Sequence, residues 1–452
     1  MKTLPLFLVW GIAWGQTPGL PPVFREVMPN GLTVLVMEQR KLPVVHMRLV
    51  AHGGSAADPA GMEGTAEIAT ALMREGTRRR SEAEIARAID FTGGMLHCAA
   101  GPDYCAASCE VLSKDLETGL DLLGDVVLHP VFPAEALERE LRRRIAGIEA
   151  AREDAGTIAS AAFHRAVYGS HPYGRRAGSA SVRSVTRDAL ERFHRRTFRP
   201  GNSLLAVVGD VAAGPLMEKL RDAFGAWERG PKEYGPPGEV PPSRGRAVVL
   251  VDKPDATQAY IIAGSTGIGM ADPDYFPLAV ANSVFGDGFT SRLMEEIRIK
   301  RSLTYGVSSG FSPQLRGGSF SIATSTRNDA MGEVVDVILG ELRKYRAEGA
   351  SEEELRRAQK YLAGAYVRGL QTPAALAGEL TEQELYGLPR DRMETYVARL
   401  GQVSAGDLHR VVRERFPLED LVLVLVGPAG ELKESAARYG PLQVLTLEEV
   451  LP

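Results

Sequence analysis

Apolar residues along this chain gather in short continuous runs, separated by longer stretches of helical periodicity. Leu32-Thr-Val-Leu-Val36 and Val44-Val-His-Met-Arg-Leu-Val50 read as strands, bounded by Asn30-Gly31 and Gly53-Gly54. Apolar positions at helical spacing then predict helices over 66–73, 116–127 and 133–152. The same succession returns further on, with strands at 247–251 and 258–264 and helices at 274–284 and 331–348. Strands and helices mixed in this way predict an α+β layer structure, helices covering one face of a sheet.

The two successions are related by more than character. Ser184-Val-Thr-Arg-Asp-Ala-Leu190 leads through Phe198 into Leu204-Leu-Ala-Val-Val208-Gly209. A gapless shift of 218 residues gives Gln402-Val-Ser-Ala-Gly-Asp-Leu408, Phe416 and Val422-Leu-Val-Leu-Val426-Gly427. The same shift lays Tyr168-Gly169 on Tyr386-Gly387. Two segments in one register imply two copies of one fold. Residues 230–243 carry five prolines and three glycines, which sustain neither a helix nor a central strand and so read as a linker. The domains are therefore expected at 22–229 and 244–448, a division that also suits 452 residues, too many for one compact core.

The formal charge of −4 gives no electrostatic case for nucleic acid or an anionic membrane. The N-terminus has the layout of a secretory signal: Lys2, an apolar run from Leu4 to Trp14, and Ala13-Trp14-Gly15 as the cleavage pattern. Residues 1–15 are expected to be removed on export to the periplasm or the exterior. The 11-residue run is much shorter than the ~20 residues that span a bilayer. Cys98, Cys105 and Cys109 lie within twelve residues, so at least one thiol is left over. A hairpin turning at Gly101-Pro102-Asp103 could set Cys98 opposite Cys105 for a disulfide; three small buried strand residues are the plainer reading. His46 and His52 share a strand face, but their six-residue separation suits a metal poorly, and His129-Pro130 reads as a helix stop.

Gly64-Thr-Ala-Glu-Ile-Ala-Thr-Ala-Leu-Met-Arg-Glu-Gly76-Thr77 resembles the helix that carries His-x-x-Glu-His in the pitrilysin-like M16 metallopeptidases. There two His residues bind zinc and the Glu is general base. In that frame the first His falls on Glu67, the Glu on Thr70 and the second His on Ala71, while the third ligand, a Glu, falls on Gly147. Such a helix cannot hold a catalytic zinc. Glu149 and Glu153, on the same predicted helix as Gly147, read as a solvated face.

Further landmarks support the resemblance over nearly all of the chain beyond the leader. They are His171-Pro172-Tyr173-Gly174-Arg175, Phe198-Arg-Pro-Gly-Asn-Ser203 and Phe285-Gly-Asp-Gly-Phe-Thr-Ser-Arg-Leu293. The resemblance implies two homologous LuxS/MPP-like domains, each a mainly antiparallel sheet covered by helices, closing as a clamshell over unfolded peptides. Arg298-Ile-Lys-Arg-Ser-Leu-Thr-Tyr305 is similar to the Arg-x6-Tyr segment whose Arg and Tyr reach the peptide carbonyl in active members. A guanidinium and a phenol both donate to a developing oxyanion; the bland reading makes Arg298 a helix end and Tyr305 a strand start. The expectation is a zinc-free subunit that is inactive alone and pairs with a homologous subunit bearing the intact motif and the zinc. A non-catalytic peptide-binding or scaffold protein on the same fold is the alternative. An autonomous peptidase with a relocated metal comes third.

Overall fold

The computed structural model describes residues 19–230 and 235–451; the expected leader lies outside the described residues. Among the described residues, twelve strands form two six-stranded sheets. The first contains β1 (Val23–Val27), β2 (Thr33–Glu38), β3 (Val44–His52), β4 (Met95–Ala100), β5 (Tyr104–Leu112) and β6 (Ser203–Gly209), in the order β1-β2-β6-β3-β5-β4. The second contains β7 (Ala247–Asp252), β8 (Gln258–Gly267), β9 (Val307–Gln314), β10 (Gly317–Arg327), β11 (Val422–Gly427) and β12 (Leu442–Leu445), in the order β12-β7-β11-β8-β10-β9. Five of the six positions correspond. The outer edge differs: β1 is antiparallel to β2, whereas β12 runs parallel to β7. With β2–β6 and β7–β11 also parallel, both sheets are mixed, antiparallel pairs in the majority.

The most apolar strands, β6 and β11, are buried along their whole length, as continuous hydrophobic runs demand when both sheet faces are covered. One face of each sheet meets the helices of its own half. The opposite face is covered by a helix from the other half. Along β2, Val34 and Val36 enter the first half's own core. Leu35 and Met37 point the other way, onto Leu376 and Leu380 of the Pro373–Leu385 helix. In the second sheet, Leu423 and Leu425 face home, while Val422, Val424 and Val426 pack on Ile158 and Phe163 of the Ala155–Tyr168 helix. The boundary expected at 229/244 therefore divides the sheets but not their helical cover. Each large apolar side chain so buried contributes about 1.5–3 kcal/mol, so the exchange couples the two halves strongly.

The two exchanged helices are built alike. Asp154 caps the first by accepting from Thr157 N at 2.7 Å, and Thr372 caps the second by accepting from Ala375 N at 3.1 Å, with Pro373 in the first turn. The 218-residue shift superimposes these caps and also the terminal Tyr168 and Tyr386. Tyr386 Oη donates to the carboxylate of Asp103 at 3.4 Å. Asp103 is fully buried in the β4–β5 turn and also accepts from Tyr173 Oη at 2.5 Å and from Leu315 N, in the β9–β10 turn, at 3.0 Å. One carboxylate thus ties the hairpin turns of both sheets together.

The hairpin turns at 101–103 as expected, but its register sets Cys98 opposite Ala107 and Cys105 opposite Ala100. This overturns the Cys98–Cys105 disulfide. A turn closed by the Gly101 N to Tyr104 O bond at 2.8 Å fixes the pairs, and the two thiols fall two residues out of step. All three cysteines are free and buried, part of the first half's core.

Candidate functional site

The helix that occupies the family's zinc-ligand positions begins at Gly64, whose φ of 103° suits glycine, and spans Thr65–Leu72. Asp58 caps it, accepting from Gly64 N at 2.7 Å and Ala66 N at 2.8 Å. Burial pushes the Asp58 carboxyl up to about 7, against the pull of those two bonds. Thr70, at the general-base position, is buried and turned into its own helix: its hydroxyl donates to the Ala66 carbonyl at 2.9 Å. Ala71 offers only a methyl. Gly147, at the third-ligand position, faces open space, for a Cβ there would meet nothing within 4 Å.

Glu67 keeps a carboxylate at this place, and a guanidinium has taken it. Arg144 donates to Glu67 through Nη1 and to Glu140 through Nε, the latter at 2.8 Å. Glu140 is buried and also takes a two-pronged bond from Arg143, both prongs at 2.8 Å. Across this helix pair, ion pairs thus run Glu67–Arg144–Glu140–Arg143. The donor set does not fit zinc: its one carboxylate is engaged by a cation, and the other positions carry a methyl, a hydrogen and an internally bonded hydroxyl. Among the described residues no three His, Cys, Asp or Glu side chains converge as a metal site. Glu149 and Glu153 lie on the solvated face, paired with Arg152 at 3.1 Å and Lys253 at 3.5 Å.

The histidines serve local structure. His46 Nδ1 meets Glu110 across the sheet at 3.1 Å. His171 caps the turn that delivers Tyr173 to Asp103. His194 Nε2 lies 2.8 Å from the Val127 carbonyl, and burial lowers its pKa to about 4.

Arg298 and Tyr305 come together in the second half. Arg298 sits on a short π-helical stretch, Met294–Ile299; the chain then turns through Ser302, at φ 55°, and returns towards β9. The guanidinium carbon lies 5.0 Å from the Tyr305 ring centroid and 4.8 Å from that of Phe289, sandwiched between two π faces. Tyr305 is 89% exposed and Phe289 63%. The tyrosine's exposure is enforced by its neighbours: Thr304 Oγ1 donates to the Ser325 carbonyl at 2.7 Å and accepts from Gly306 N at 3.1 Å. Arg298 has no carboxylate partner among the described residues. Phe289 was missed in the sequence as a partner of the pair, although it lies within the glycine-rich segment singled out there.

A cavity of about 730 Å³ opens over the Glu67 helix, lined by Glu67, Arg144 and Gly147 and reaching Gln314 of the second half. Neither Arg298 nor Tyr305 lines it. The structure brings the pair together on the surface and does not bring it to the chain's own metal-ligand positions.

Residues 33–180 match the family model described as Insulinase (Peptidase family M16), and residues 184–362 that described as Peptidase M16 inactive domain. The chain is 26% identical over 406 residues to an uncharacterized zinc protease of Streptomyces coelicolor, covering 88% of both proteins. It is 29% identical over 396 residues to one of Mycobacterium tuberculosis, covering 86% of this chain and 90% of the relative. Among solved structures it resembles a peptidase M16 inactive domain from Pseudomonas fluorescens (TM-score 0.85, 28% identity, 90% of this chain and 98% of that one). A protease from Helicobacter pylori shares the fold at TM-score 0.82 and 18% identity, over 91% of this chain and 100% of that one.

Proposed function

The chain belongs to the M16 peptidase family, and from that membership we propose that it is the zinc-free subunit of a two-chain peptidase. A homologous subunit with an intact His-x-x-Glu-His motif would bring the zinc; this chain contributes Arg298 and Tyr305 to that site. The observation that carries the reading is the Arg298 sandwich: a guanidinium with no carboxylate partner among the described residues, held between two exposed rings and outside the cavity at its own chain's ligand positions. Against a peptide carbonyl, Arg298 would supply a fixed positive charge and Tyr305 one directed hydrogen bond. Both strengthen as charge grows on the oxygen, which is the condition for lowering a barrier rather than only binding substrate. The leader read in residues 1–15 supports an exported protein acting on unfolded peptides outside the cytoplasm.

The test is turnover by the two-chain complex carrying Arg298→Ala or Tyr305→Phe. A fall of about 10²–10³-fold, with the complex still assembling, is expected of each. Full turnover in both variants would refute trans-catalysis and leave the peptide-binding or scaffold reading, which makes no use of the pair.

A further inference from the structure

The cavity over the Glu67 helix is lined by four arginines and by Asp58, Glu63 and Glu67. Arg143 and Arg144 are matched by Glu140 and Glu67. Arg175 and Arg176 also line it, and neither has a carboxylate within ion-pair distance among the described residues. Arg175 reaches only the Asp58 carbonyl, at 3.4 Å. Arg176 has no hydrogen-bond partner there, and Glu67 is the carboxylate whose charge acts on it. Both side chains remain reachable from solvent.

Each guanidinium, without a carboxylate of its own, keeps donors that can meet an incoming carboxylate. Beside them Ile148, Ala177 and Val182 form an apolar wall. The volume, about 730 Å³, lies within the ~300–1,000 Å³ of sites that take small ligands. That suits the end of a peptide rather than a folded chain.

We propose that this cavity is a receptor for a peptide carboxylate, the free C-terminal end foremost, held by Arg176 and Arg175 with the last side chain against Ile148, Ala177 and Val182. The choice of a peptide as carrier rests on the proposed peptidase reading; the cation pair and its cavity do not.

The experiment uses this chain alone, without a partner, so its outcome is independent of turnover by any complex. Fluorescence anisotropy would compare one labelled peptide with a free C-terminal carboxylate, the same peptide amidated, and an amidated version carrying an internal Glu. The free acid is expected to bind about tenfold or more tightly than the plain amide. Arg176→Gln should erase that difference with the melting temperature unchanged, and Arg176→Lys should restore part of it. Equal affinity of the Glu-bearing amide, also lost in Arg176→Gln, would keep the carboxylate site and assign it to side chains. Equal binding of all three peptides, or an acid preference that survives both Arg176→Gln and Arg175→Gln, would overturn the proposal.

Discussion

The two halves of this molecule share a strand order but handle an arginine at their functional positions in opposite ways. In the first half, Arg144 is locked between Glu67 and Glu140, so its charge is neutralised within the fold. In the second, Arg298 rests between the rings of Phe289 and Tyr305, with no carboxylate among the described residues to cancel it. Rings hold a guanidinium in place while leaving its charge and donors for something else. The contrast teaches that residue type alone does not separate a structural arginine from a functional one; the neighbours do.

The largest expected effect that could break the comparison is kinetic. If Arg298 acts and Arg144 only supports, Arg298→Ala costs the complex about 10²–10³-fold in kcat, while the isolated chain keeps its melting temperature. An equal loss of stability would put Arg298 in the same structural class as Arg144.

The next concerns how far the halves are separate at all. Leu380→Ala should cost about 2–5 kcal/mol and Phe163→Ala about 3–5 kcal/mol, each in the sheet of the opposite half. Urea unfolding followed by far-ultraviolet circular dichroism should show one shared transition in both variants. Two resolved transitions, only one of them shifted, would mean that the exchanged helices do not couple the halves.

A smaller effect separates the halves by pH. The 218-residue shift sets His194 against Val412. Burial holds the His194 pKa near 4, below the unfolded value of about 6.5. Between those two values the unfolded chain binds the additional proton, so stability is full above about 6.5 and is lost as pH falls towards 4. Asp58, with its carboxyl raised to about 7, slopes the other way: its contribution is full at low pH and falls as pH rises from about 4 to about 7. The informative quantity is therefore wild type minus His194→Val. That difference should change by about 3 kcal/mol between pH 7 and 4; a flat difference would remove the asymmetry.

The smallest is chemical. Burial raises the thiols of Cys98 and Cys109 to about 12 and that of Cys105 well above its ordinary value. A thiol reagent at pH 8 should therefore label the native chain negligibly and the unfolded chain at all three cysteines. Rapid native labelling would show that the first half opens locally.

Much of this was legible in the sequence because period carries it. The helix expected over 331–348 is Met331–Glu348, and the runs in β6 and β11 were found with their repeat. The ligand positions could be read because they depend only on spacing along the chain. Register across a hairpin could not be read: one bond in the turn decides it, which is why Cys98 was set opposite the wrong residue. Nor could the exchange of helices, since the repeat pairs Asp154 with Thr372 without saying which sheet either helix covers. The Arg175 and Arg176 cluster was hidden for the same reason. The two residues follow the His171–Gly174 turn in the chain, and only the fold carries them over Glu67.

The exchanged helices also set an order of events during synthesis. The outer face of the first sheet is complete in sequence by Gly209, but the helix that covers it ends only at Leu385 of 452 residues. Until then Leu35, Met37, Ala206 and Val208 have nothing to pack against, and a chain cut in the 230–243 segment would leave each fragment with a bare apolar face. The protein thus reaches its native state late, after most of it has been made.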